Sequence, residues 1–226
     1  MKVLAFDTAL RALSVAVLGD DDIRGRCFEA RNRGHAEALF PMIEDVCRQA
    51  GVAYGEFDRI AVTVGPGTFA GVRVGLAAAR GLAVALDIPV VGVSTLEVMA
   101  AGTLDCLRDS DTHLTALFDA RRGQVYSQTF DPALRPLNAP CATAPAELAR
   151  ALPEGQGALV GDGAPLVQDV LGTSRENLRI LNGPGQPDAA AAARLAPSRE
   201  AQPPGSGLPR PVYLRAPDAR LPGNNP

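Results

Sequence analysis

The chain has 226 residues, of which 46% are hydrophobic and 21% are charged, and its formal net charge is −3 at pH 7. These values are typical of a globular protein that folds as one large domain or two small ones. Because Lys and Arg form no basic run, the sequence argues against a protein that binds nucleic acid unaided.

The sequence also gives no sign of export or of a membrane segment. An aspartate at position 7 interrupts the N-terminal apolar stretch before a signal-peptide core could form, and Asp87 and Pro89 interrupt the most apolar run, residues 82–93. The four cysteines lie far apart and form no CxxC pair: Cys27, Cys47, Cys106 and Cys141. We therefore expect a cytoplasmic protein with reduced thiols and no zinc site, disulfide framework or membrane contact.

Alternating and β-branched residues predict three antiparallel strands in the first part of the chain, at 2–7, 13–18 and 23–30. The pattern then changes to a period of 3.6 over residues 35–50. Its apolar positions share one helical face, and Gly51 ends the run.

Residues 58–64 are short, β-branched and apolar, which predicts a buried strand. The glycines and proline at 65–67 then form a tight break. Thr68 stands at the position of a helix N-cap, and an alanine-rich helix is expected from there to Leu86.

Along this helix Gly71, Gly75 and Ala79 recur every four residues, so one stripe is nearly free of side chains. Each interior glycine costs about 0.5–1 kcal/mol relative to alanine, which indicates that close approach of another group favours it. Either another helix packs on this stripe or a phosphate lies at the N-terminus of the helix.

A strand at 89–93 and a helix at 95–107, capped by Ser94, complete the first half. The order βββαβαβα is typical of a ribonuclease-H-like unit, in which helices cover a mixed sheet. The predicted fold class is therefore α/β.

The second half repeats the opening pattern and then weakens. Its predicted elements are a strand at 114–119 that ends in aspartate, a turn at 121–123, a strand at 124–130, a helix at 146–152, a strand at 157–160 and a helix at 165–171.

These elements predict an N-terminal lobe at 1–107, a smaller and degenerate second lobe at 108–205, and a C-terminal segment at 206–226. From residue 183 onward, the prolines, alanines and glycines predict an irregular or mobile tail. Residues 210–221 are expected to anchor the end of the chain onto the body.

Two groups of residues in the first half could contact a nucleotide. Asp7 and Thr8 end the first strand, where they could bind a metal or orient a phosphate, but no glycine follows them to admit one. Gly65 and Gly67 could form a phosphate loop, although the sequence is neither GxxxxGK[ST] nor GxGxxG. The alternative, a turn satisfied by the chain's own groups, is at least as strong for the first pair and is favoured for the glycines.

In the second half, Asp119, Arg121 and Arg122 combine a carboxylate with two guanidiniums. They could hold an anion by bidentate hydrogen bonds or pair with one another, and the sequence favours neither. His35 and His113 have no nucleophile or metal ligand beside them in the sequence. We expect a polar interface residue and a solvated loop residue, respectively.

Several sequence blocks in a fixed order resemble one family. They are LAFDTALRALSVAV, HAEALFPMIEDV, VGPGTFAGVRVGLAAARGLA with GVSTLEVMA, DARRGQVY and PVYLRAPDARLP, and residues 131–205 match loosely. On these blocks the chain resembles the TsaB (YeaZ) family of bacterial tRNA threonylcarbamoyladenosine biosynthesis proteins. The resemblance implies the two-lobed actin-like ATPase (ASKHA) fold and a non-catalytic role beside the paralogue TsaD, which carries the active site.

In that paralogue, a motif of the form N-H-x-E-G-H supplies two metal-binding histidines. In this chain, Thr95 and Met99 take the places of the two histidines. A hydroxyl and a thioether cannot replace two imidazoles on such a metal. The resemblance therefore implies no catalytic residue, metal or cofactor here, with ATP and metal on partner subunits.

The resemblance also implies that the helices at 35–50 and 71–86 form a bundle with the TsaD-like partner, although part of their apolar surface must cover this chain's own sheet. Phe40 and Arg73 are the expected hot spots, and Gly75→Leu is expected to abolish the heterodimer while leaving the monomer folded. The expected interface residues are His35, Leu39, Phe40, Ile43, Val46, Cys47, Gly71, Arg73, Val74, Gly75, Ala78, Ala79 and Leu82.

The implied function is to activate the TsaD-like subunit, together with a TsaE-like ATPase. The complex would place threonylcarbamoyl on N6 of adenosine 37 in tRNAs that read codons beginning with A. The partner would make most of the tRNA contacts, with a minor contribution from Arg210, Arg215 and Arg220. A homodimer without the partner is an open alternative.

Two other functions compete with this one. The first is a small ATPase or kinase that uses Asp7, Asp119 and the loop at 65–67 as vestigial or working nucleotide contacts. The second is a peptidase, which ranks last because the sequence shows no nucleophile–base pair.

Overall fold

The computed structural model describes residues 1–106, 112–172, 175, 177–181, 185–203 and 209–215. In that part of the chain, ten strands form two five-stranded sheets. The first sheet consists of β1 Val3–Asp7, β2 Ala12–Gly19, β3 Asp22–Ala30, β4 Arg59–Thr63 and β5 Val90–Val93. The second consists of β6 His113–Arg121, β7 Gln124–Phe130, β8 Cys141–Thr143, β9 Gly157–Val160 and β10 Leu178–Ile180. The α-helices are α1 His35–Ala50, α2 Phe69–Leu86, α3 Thr95–Ala101, α4 Pro145–Ala151, α5 Ala164–Leu171 and α6 Ala189–Leu195.

The two sheets have the same topology. In the first, the order is β3-β2-β1-β4-β5; β1 and β2 are antiparallel, as are β2 and β3, whereas β1, β4 and β5 are parallel. In the second, the order β8-β7-β6-β9-β10 repeats these directions. This repeat confirms the predicted two-lobed α/β fold and shows that the second lobe keeps the five-strand pattern of the first.

Helices α1 and α2 cover one side of the first sheet. Helix α1 begins at His35 and ends before Gly51, whose positive φ suits a C-terminal cap. The Thr68 hydroxyl caps α2 by accepting a hydrogen bond from the Gly71 amide at 3.1 Å. The apolar faces of both helices join side chains of β1, β2 and β4 in one core. The bounds of α1 and the cap of α2 confirm the predictions.

Helices α3 and α6 each pack against a different lobe from the one that they follow in the sequence. Helix α3 follows the first sheet in sequence, yet Leu96 and Met99 pack with Phe118 in the core of the second. Helix α6 follows the second sheet, yet its run of buried alanines packs against β1 and β2 of the first.

The predicted irregular tail is therefore wrong over α6, and the predicted second lobe at 108–205 contains a helix of the first lobe. A helix that consists mainly of alanine can be buried on a sheet without the periodic large residues that reveal amphipathicity. The prolines and glycines around it then dominate the composition of the tail.

The structure differs from the prediction in three smaller points. Strands β8 and β10 have three residues each, and their sequences gave no signal. Helix α3 ends at Ala101 and a 3₁₀ turn follows at Leu104–Cys106, while residue 107 lies outside the described residues. Ser94 occupies the N-cap position of α3, but its hydroxyl makes no capping hydrogen bond.

The C-terminal strap, residues 209–215, connects the two lobes. The Val212 amide donates to Val64 O at 2.8 Å, and Arg215 Nη1 donates to Ala120 O at 2.8 Å. The predicted anchor is thus confirmed over 210–215, and residues 216–221, with Arg220, lie outside the described residues.

Helix α2 is long and apolar enough to cross a membrane, by length and composition alone. A core helix of a globular domain can meet the same criterion. Seven of the residues of α2 are buried against the rest of the chain, and the other side of the helix faces outward.

Candidate functional site

Asp7 lies at the carboxyl end of β1 and is fully buried. Its Oδ1 accepts hydrogen bonds from the Thr63 hydroxyl at 2.5 Å and from the Ala9 amide at 3.3 Å, whereas Oδ2 has no partner among the described residues. Burial raises the pKa of Asp7 to about 7; the two hydrogen bonds oppose this rise, and the charge of Asp188 adds to it. Asp7 therefore holds the first turn in place and titrates near neutral pH.

The first turn is in direct contact with the N-terminus of α2. Thr8 Oγ1 donates to Gly71 O at 2.7 Å, and the amide and hydroxyl of Thr68 donate to Ala9 O at 2.8 and 3.1 Å. A Cβ on Gly67 would lie 2.6 Å from Ala9 O, and one on Gly71 would clash with Thr8 O. These contacts occupy the place that a phosphate would need between the turn and the helix.

Gly65 has a packing role as well. A Cβ on Gly65 would lie 2.8 Å from Val212 O, and its φ of 104° favours glycine. The glycine loop thus serves contacts within the chain, and the internal contacts of Asp7, Thr8 and Gly67 argue against the nucleotide contacts considered for them.

The small-residue stripe of α2 faces the interior. A Cβ on Gly75 would lie 2.7 Å from Thr8 Oγ1 and 3.2 Å from Val62 Cγ2, and Ala79 is buried. The expectation that Gly71, Gly75 and Ala79 receive a partner helix is therefore wrong, because β4 and the first turn already fill this space. Gly75→Leu would disturb the fold of the monomer rather than test an interface.

Most of the other expected interface residues are also inside the chain. The buried ones belong to the core beneath α1 and α2: Leu39, Ile43, Val46, Cys47 and Ala78. The half-buried ones are His35, Val74 and Leu82, and the exposed ones are Phe40 and Arg73. The apolar face of each helix covers its own sheet, so a partner would meet the opposite side.

The outward side of α1 and α2 is apolar at several positions. We call the following residues the outer face: Phe40, Phe69, Ala70, Ala77, Gly81 and Val84. Val84 is 72% exposed, Phe69 53% and Phe40 44%. Among the described residues, nothing lies within 4 Å of a Cβ built on Gly81. The described part of the chain therefore gives no packing reason for a glycine at this exposed helical position, where alanine would be favoured by about 1 kcal/mol.

Phe69, Arg73 and Tyr213 form a stack at the edge of the outer face. The guanidinium carbon of Arg73 lies 3.4 Å from the centroid of the Phe69 ring, and the Phe69 and Tyr213 rings are 5.7 Å apart. Arg73 Nε also donates to the Tyr213 hydroxyl at 3.0 Å. Arg73, an expected hot spot, therefore holds the C-terminal strap on α2.

Asp119 faces the cleft between the lobes and is engaged within the chain. Its Oδ1 accepts from the Arg121 amide at 2.7 Å and its Oδ2 lies 3.2 Å from Arg121 Nη1, so Asp119 and Arg121 show the internal pairing that was one of the two alternatives. Asp162 accepts from the Asp119 amide at 2.9 Å. Gln186 joins the lobes, since its Nε2 donates to Asp162 at 3.1 Å and its Oε1 accepts from the Arg11 amide at 2.7 Å.

Two adjoining cavities, of about 600 and 640 Å³, open between the lobes. The larger one, the cleft cavity, is lined mainly by arginines and aromatic rings: Arg11, Arg121, Arg122, Arg215, Phe69, Tyr126 and Tyr213. The smaller one shares Arg11 and Arg121 and adds Arg33 and His35. Arg121 and Arg122 thus come together with basic residues from the first lobe and from the strap.

The two histidines have different surroundings. His113 is buried in β6, and the prediction of a solvated loop residue is wrong; burial lowers its pKa, and the charge of Arg175 lowers it further. His35 begins α1 and is half-buried, with no hydrogen-bond partner for its Nε2 among the described residues.

A sequence model of the family described as TsaD, tRNA N6-adenosine threonylcarbamoyltransferase, matches residues 25–160, more than half of the chain. The tRNA threonylcarbamoyladenosine biosynthesis protein TsaB of Escherichia coli (strain K12) is 39% identical over 126 residues, which cover 56% of this chain and 53% of that protein. The structure of YeaZ from Pseudomonas aeruginosa has a TM-score of 0.79 at 29% identity and covers 94% of this chain and 99% of its own. The chain belongs to the TsaD family and to its TsaB (YeaZ) branch.

A more distant neighbour of this TsaB-family chain shows the fold alone. It is the activator of the 2-hydroxyisocaproyl-CoA dehydratase from Clostridium difficile with bound ADPNP, with a TM-score of 0.55 at 12% identity over 87% of this chain and 94% of that one. By sequence, the chain spans about half the length of the curated TsaB relatives that it matches.

Thr95 and Met99, which the resemblance aligns with two metal-binding histidines of TsaD, lie in the core of this TsaB-family chain. Thr95 and Met99 are buried, and Met99 packs against the second sheet. Among the described residues, no group of three or more His, Cys, Asp or Glu side chains could hold a metal ion.

Sequence reasoning missed the outer-face residues other than Phe40, the bridge made by Gln186, and Arg11. Gly81 carried the best available signal, because it interrupts an otherwise alanine-rich helix outside the Gly71–Gly75 stripe. Gln186 carried no such signal, since its role depends on the packing of α6 against the first lobe.

Proposed function

We propose that this TsaB-family chain is a non-catalytic subunit that binds a TsaD-like catalytic subunit through the outer face. With a TsaE-like ATPase, the complex would transfer threonylcarbamoyl to N6 of adenosine 37 in tRNAs that read codons beginning with A. This work would take place in the cytoplasm, with ATP and metal on the partner subunits. The partner would make most of the tRNA contacts, with Arg210 and Arg215 as minor contributors.

The observation that carries the proposal is the unexplained glycine in an exposed apolar stripe. Gly81 destabilises an isolated α2, and among the described residues nothing lies within 4 Å of a Cβ built on it, which suits a partner that packs close to this position. Ala77 and Val84 lie on the same side of α2, one helical turn from Gly81. Such a stripe suits the close approach of a partner helix.

The family of the chain supports a TsaD-like partner. The TsaD family model covers α1 and α2 of this chain, so a TsaD-like subunit carries related helices of its own. Two related subunits that pair through equivalent helices form a pseudo-twofold interface, which resembles the twofold interface that is commonest among homodimers. The same face would serve a homodimer when the partner is absent.

The rival ATPase or kinase function has less support. Two parts of its expected site, Asp7 and the loop at 65–67, lie beside the first turn and α2, where Thr8 bonds to Gly71 and Thr68 bonds to Ala9. Nucleotide hydrolysis by the chain alone that Asp7→Asn abolished would favour the rival.

The test uses the full chain and its TsaD-like partner from the same genome. Gly81→Leu places a large side chain in open space on the outer face, and Val84→Arg places a charge there. We expect both variants to fold but to lose the one-to-one complex in size-exclusion chromatography with light scattering. We also expect them to lose threonylcarbamoyladenosine formation, measured by mass spectrometry of the tRNA nucleosides.

The matched control is Val170→Arg, because Val170 is an exposed helical valine of the second lobe, with 51% of its surface exposed. This variant should bind the partner like the wild type. A complex that survives both Gly81→Leu and Val84→Arg would show that the outer face is not the interface. If the complex forms but threonylcarbamoyladenosine formation is no higher than with the TsaD-like subunit without this chain, the activating role is contradicted.

A further inference from the structure

The C-terminal strap is attached to α2 by two arginines of that helix. Arg80 Nη2 donates to Pro209 O at 3.2 Å, and Arg73 Nε donates to the Tyr213 hydroxyl at 3.0 Å. The two arginines are about two helical turns apart, so they lie on the same side of α2. The strap therefore follows one side of this helix.

That side of α2 carries the outer face. Phe69 precedes Arg73 by one helical turn and Ala77 follows it by one, so the three residues are neighbours on the helix surface. The ring of Tyr213 stacks on Phe69 and is still 44% exposed. Tyr213 thus borders the outer face, and a protein that covers this face also covers Tyr213.

The first lobe leaves space for the strap at two glycines. A Cβ on Gly65 would lie 2.8 Å from Val212 O, and a Cβ on Gly92 would lie 2.9 Å from Pro209 Cβ and 2.6 Å from Val64 Cγ1. Gly92 lies inside β5, where glycine is unfavourable unless another group approaches closely. The docked position of the strap is therefore built into the first lobe.

The other end of the strap contacts the second lobe at a β-bulge. The register between β6 and β7 shifts between Asp119 and Arg121, which places Ala120 at the bulge. A bulge residue is left out of the ladder of hydrogen bonds between the strands. Arg215 Nη1 donates to Ala120 O at 2.8 Å, so the strap supplies a partner for this carbonyl.

The contacts of the strap can be lost together. The hydrogen bond of Arg73 to Tyr213 is exposed, and those of Arg80 and Arg215 are only partly buried. Segments with such contacts open locally at a lower free energy than the core of a domain. Because a single residue separates Tyr213 from Arg215, release of one favours release of the other.

We propose that the strap couples the outer face to the second lobe. A partner on the outer face holds Tyr213 against α2, which keeps the strap docked, and Arg215 then fixes the β6–β7 turn, residues 119–124. Because coupling between two sites is reciprocal, a docked strap in turn favours binding of the partner. The identity of the partner, a TsaD-like subunit, rests on the proposed function, whereas the contacts of the strap belong to this chain alone.

The first test is hydrogen exchange with mass spectrometry on the full chain without a partner. Tyr213→Ala should speed exchange in the β6–β7 turn as well as in the strap, by about threefold or more. The matched control is Phe40→Ala, at an aromatic residue of α1 that is also 44% exposed. It should leave exchange in the turn unchanged. Unchanged exchange in the turn of Tyr213→Ala, or an equal change in the control, would overturn the proposal.

The second test adds the TsaD-like partner from the same genome. In the wild type, the partner should slow exchange in α2 and in the β6–β7 turn. In Arg215→Ala it should still slow exchange in α2 but no longer in the turn. The matched control is Arg24→Ala, because Arg24 also donates to a backbone carbonyl, that of Gly19, and should behave like the wild type. Protection of the turn that survives Arg215→Ala would overturn the proposal.

The two tests separate the coupling from the proposed function. If the partner does not protect α2, the assigned interface is wrong, and the experiment on the chain alone still decides whether the strap couples α2 to the turn. If the partner protects α2 but not the turn of the wild type, the coupling alone is wrong. Circular dichroism checks that the variants fold. If Tyr213→Ala does not fold, Tyr213→Phe, which loses the hydrogen bond to Arg73, should show the same change to a smaller extent.

Discussion

Asp7→Asn measures the cost of burying a carboxylate at the end of β1. The pKa of Asp7 is about 7 in the folded chain, and an aspartate in an unfolded chain titrates at about 3.9. Between these values the folded state binds more protons, so stability falls as the pH rises through that window. Relative to strongly acidic solution, ionisation of Asp7 lowers the free energy of unfolding by about 1.5 kcal/mol at pH 5 and about 4 kcal/mol at pH 8.

The substitution keeps an oxygen that can accept from Thr63 and Ala9 but removes the charge. Between pH 5 and pH 8 the wild type should therefore lose about 2.6 kcal/mol more stability than Asp7→Asn, measured by urea unfolding. Asp45→Asn, at an exposed carboxylate paired with Arg48, is the control and should follow the wild type. Parallel pH profiles for the wild type and Asp7→Asn would refute the inference that burial governs this carboxylate.

Three further pairs of substitutions test the packing. Gly71→Ala should lower the free energy of unfolding by about 2 kcal/mol or more, measured by thermal unfolding, because its Cβ would meet Thr8 O. Gly81→Ala in the same helix should raise the free energy of unfolding by about 0.5–1 kcal/mol. Equal effects of the two substitutions would contradict the assigned orientation of α2. Tyr213→Ala should speed amide hydrogen exchange in the C-terminal strap. Tyr213→Phe keeps the ring beside Phe69 and should speed the exchange less. Unchanged exchange in both variants would show that the stack does not hold the strap. Ala192→Leu should lower the free energy of unfolding by about 1–3 kcal/mol, because the larger side chain overpacks α6 against the first sheet. Ala151→Leu, at an exposed position of α4, should change it little. Similar losses in the two variants would contradict the burial of α6.

The sequence predicted the elements that have a strong period. Helix α1 has large apolar residues on one face and a glycine stop, and its bounds agree with the prediction at both ends. Helix α6 and the strands β8 and β10 were missed because a helix that consists mainly of alanine shows no amphipathic contrast and strands of three residues carry little periodic signal.

The predicted interface included residues of the monomer core for a related reason. Amphipathicity identifies the face of a helix that is buried, and it does not say whether the chain itself or a partner covers that face. In this chain the sheet covers it, so Leu39 and Gly75 belong to the monomer core, while Phe40 belongs to the outer face. The informative residue was Gly81, since this glycine lies outside the buried stripe and the described residues show no close contact that requires it.

The two lobes repeat one topology but differ at their equivalent turns. A glycine pair follows the fourth strand of each sheet: Gly161 and Gly163 in the second lobe pack against the backbone of β6, as Gly67 packs against the first turn. Asp162 lies between Gly161 and Gly163, and its carboxylate accepts a hydrogen bond from the Asp119 amide. The neighbouring turn at 121–123 borders the cleft cavity. In the first lobe, the equivalent turn is pressed against α2, and its aspartate is buried. The fold therefore keeps two related turns, of which one supports the helix that carries the outer face and the other presents arginines to the cleft.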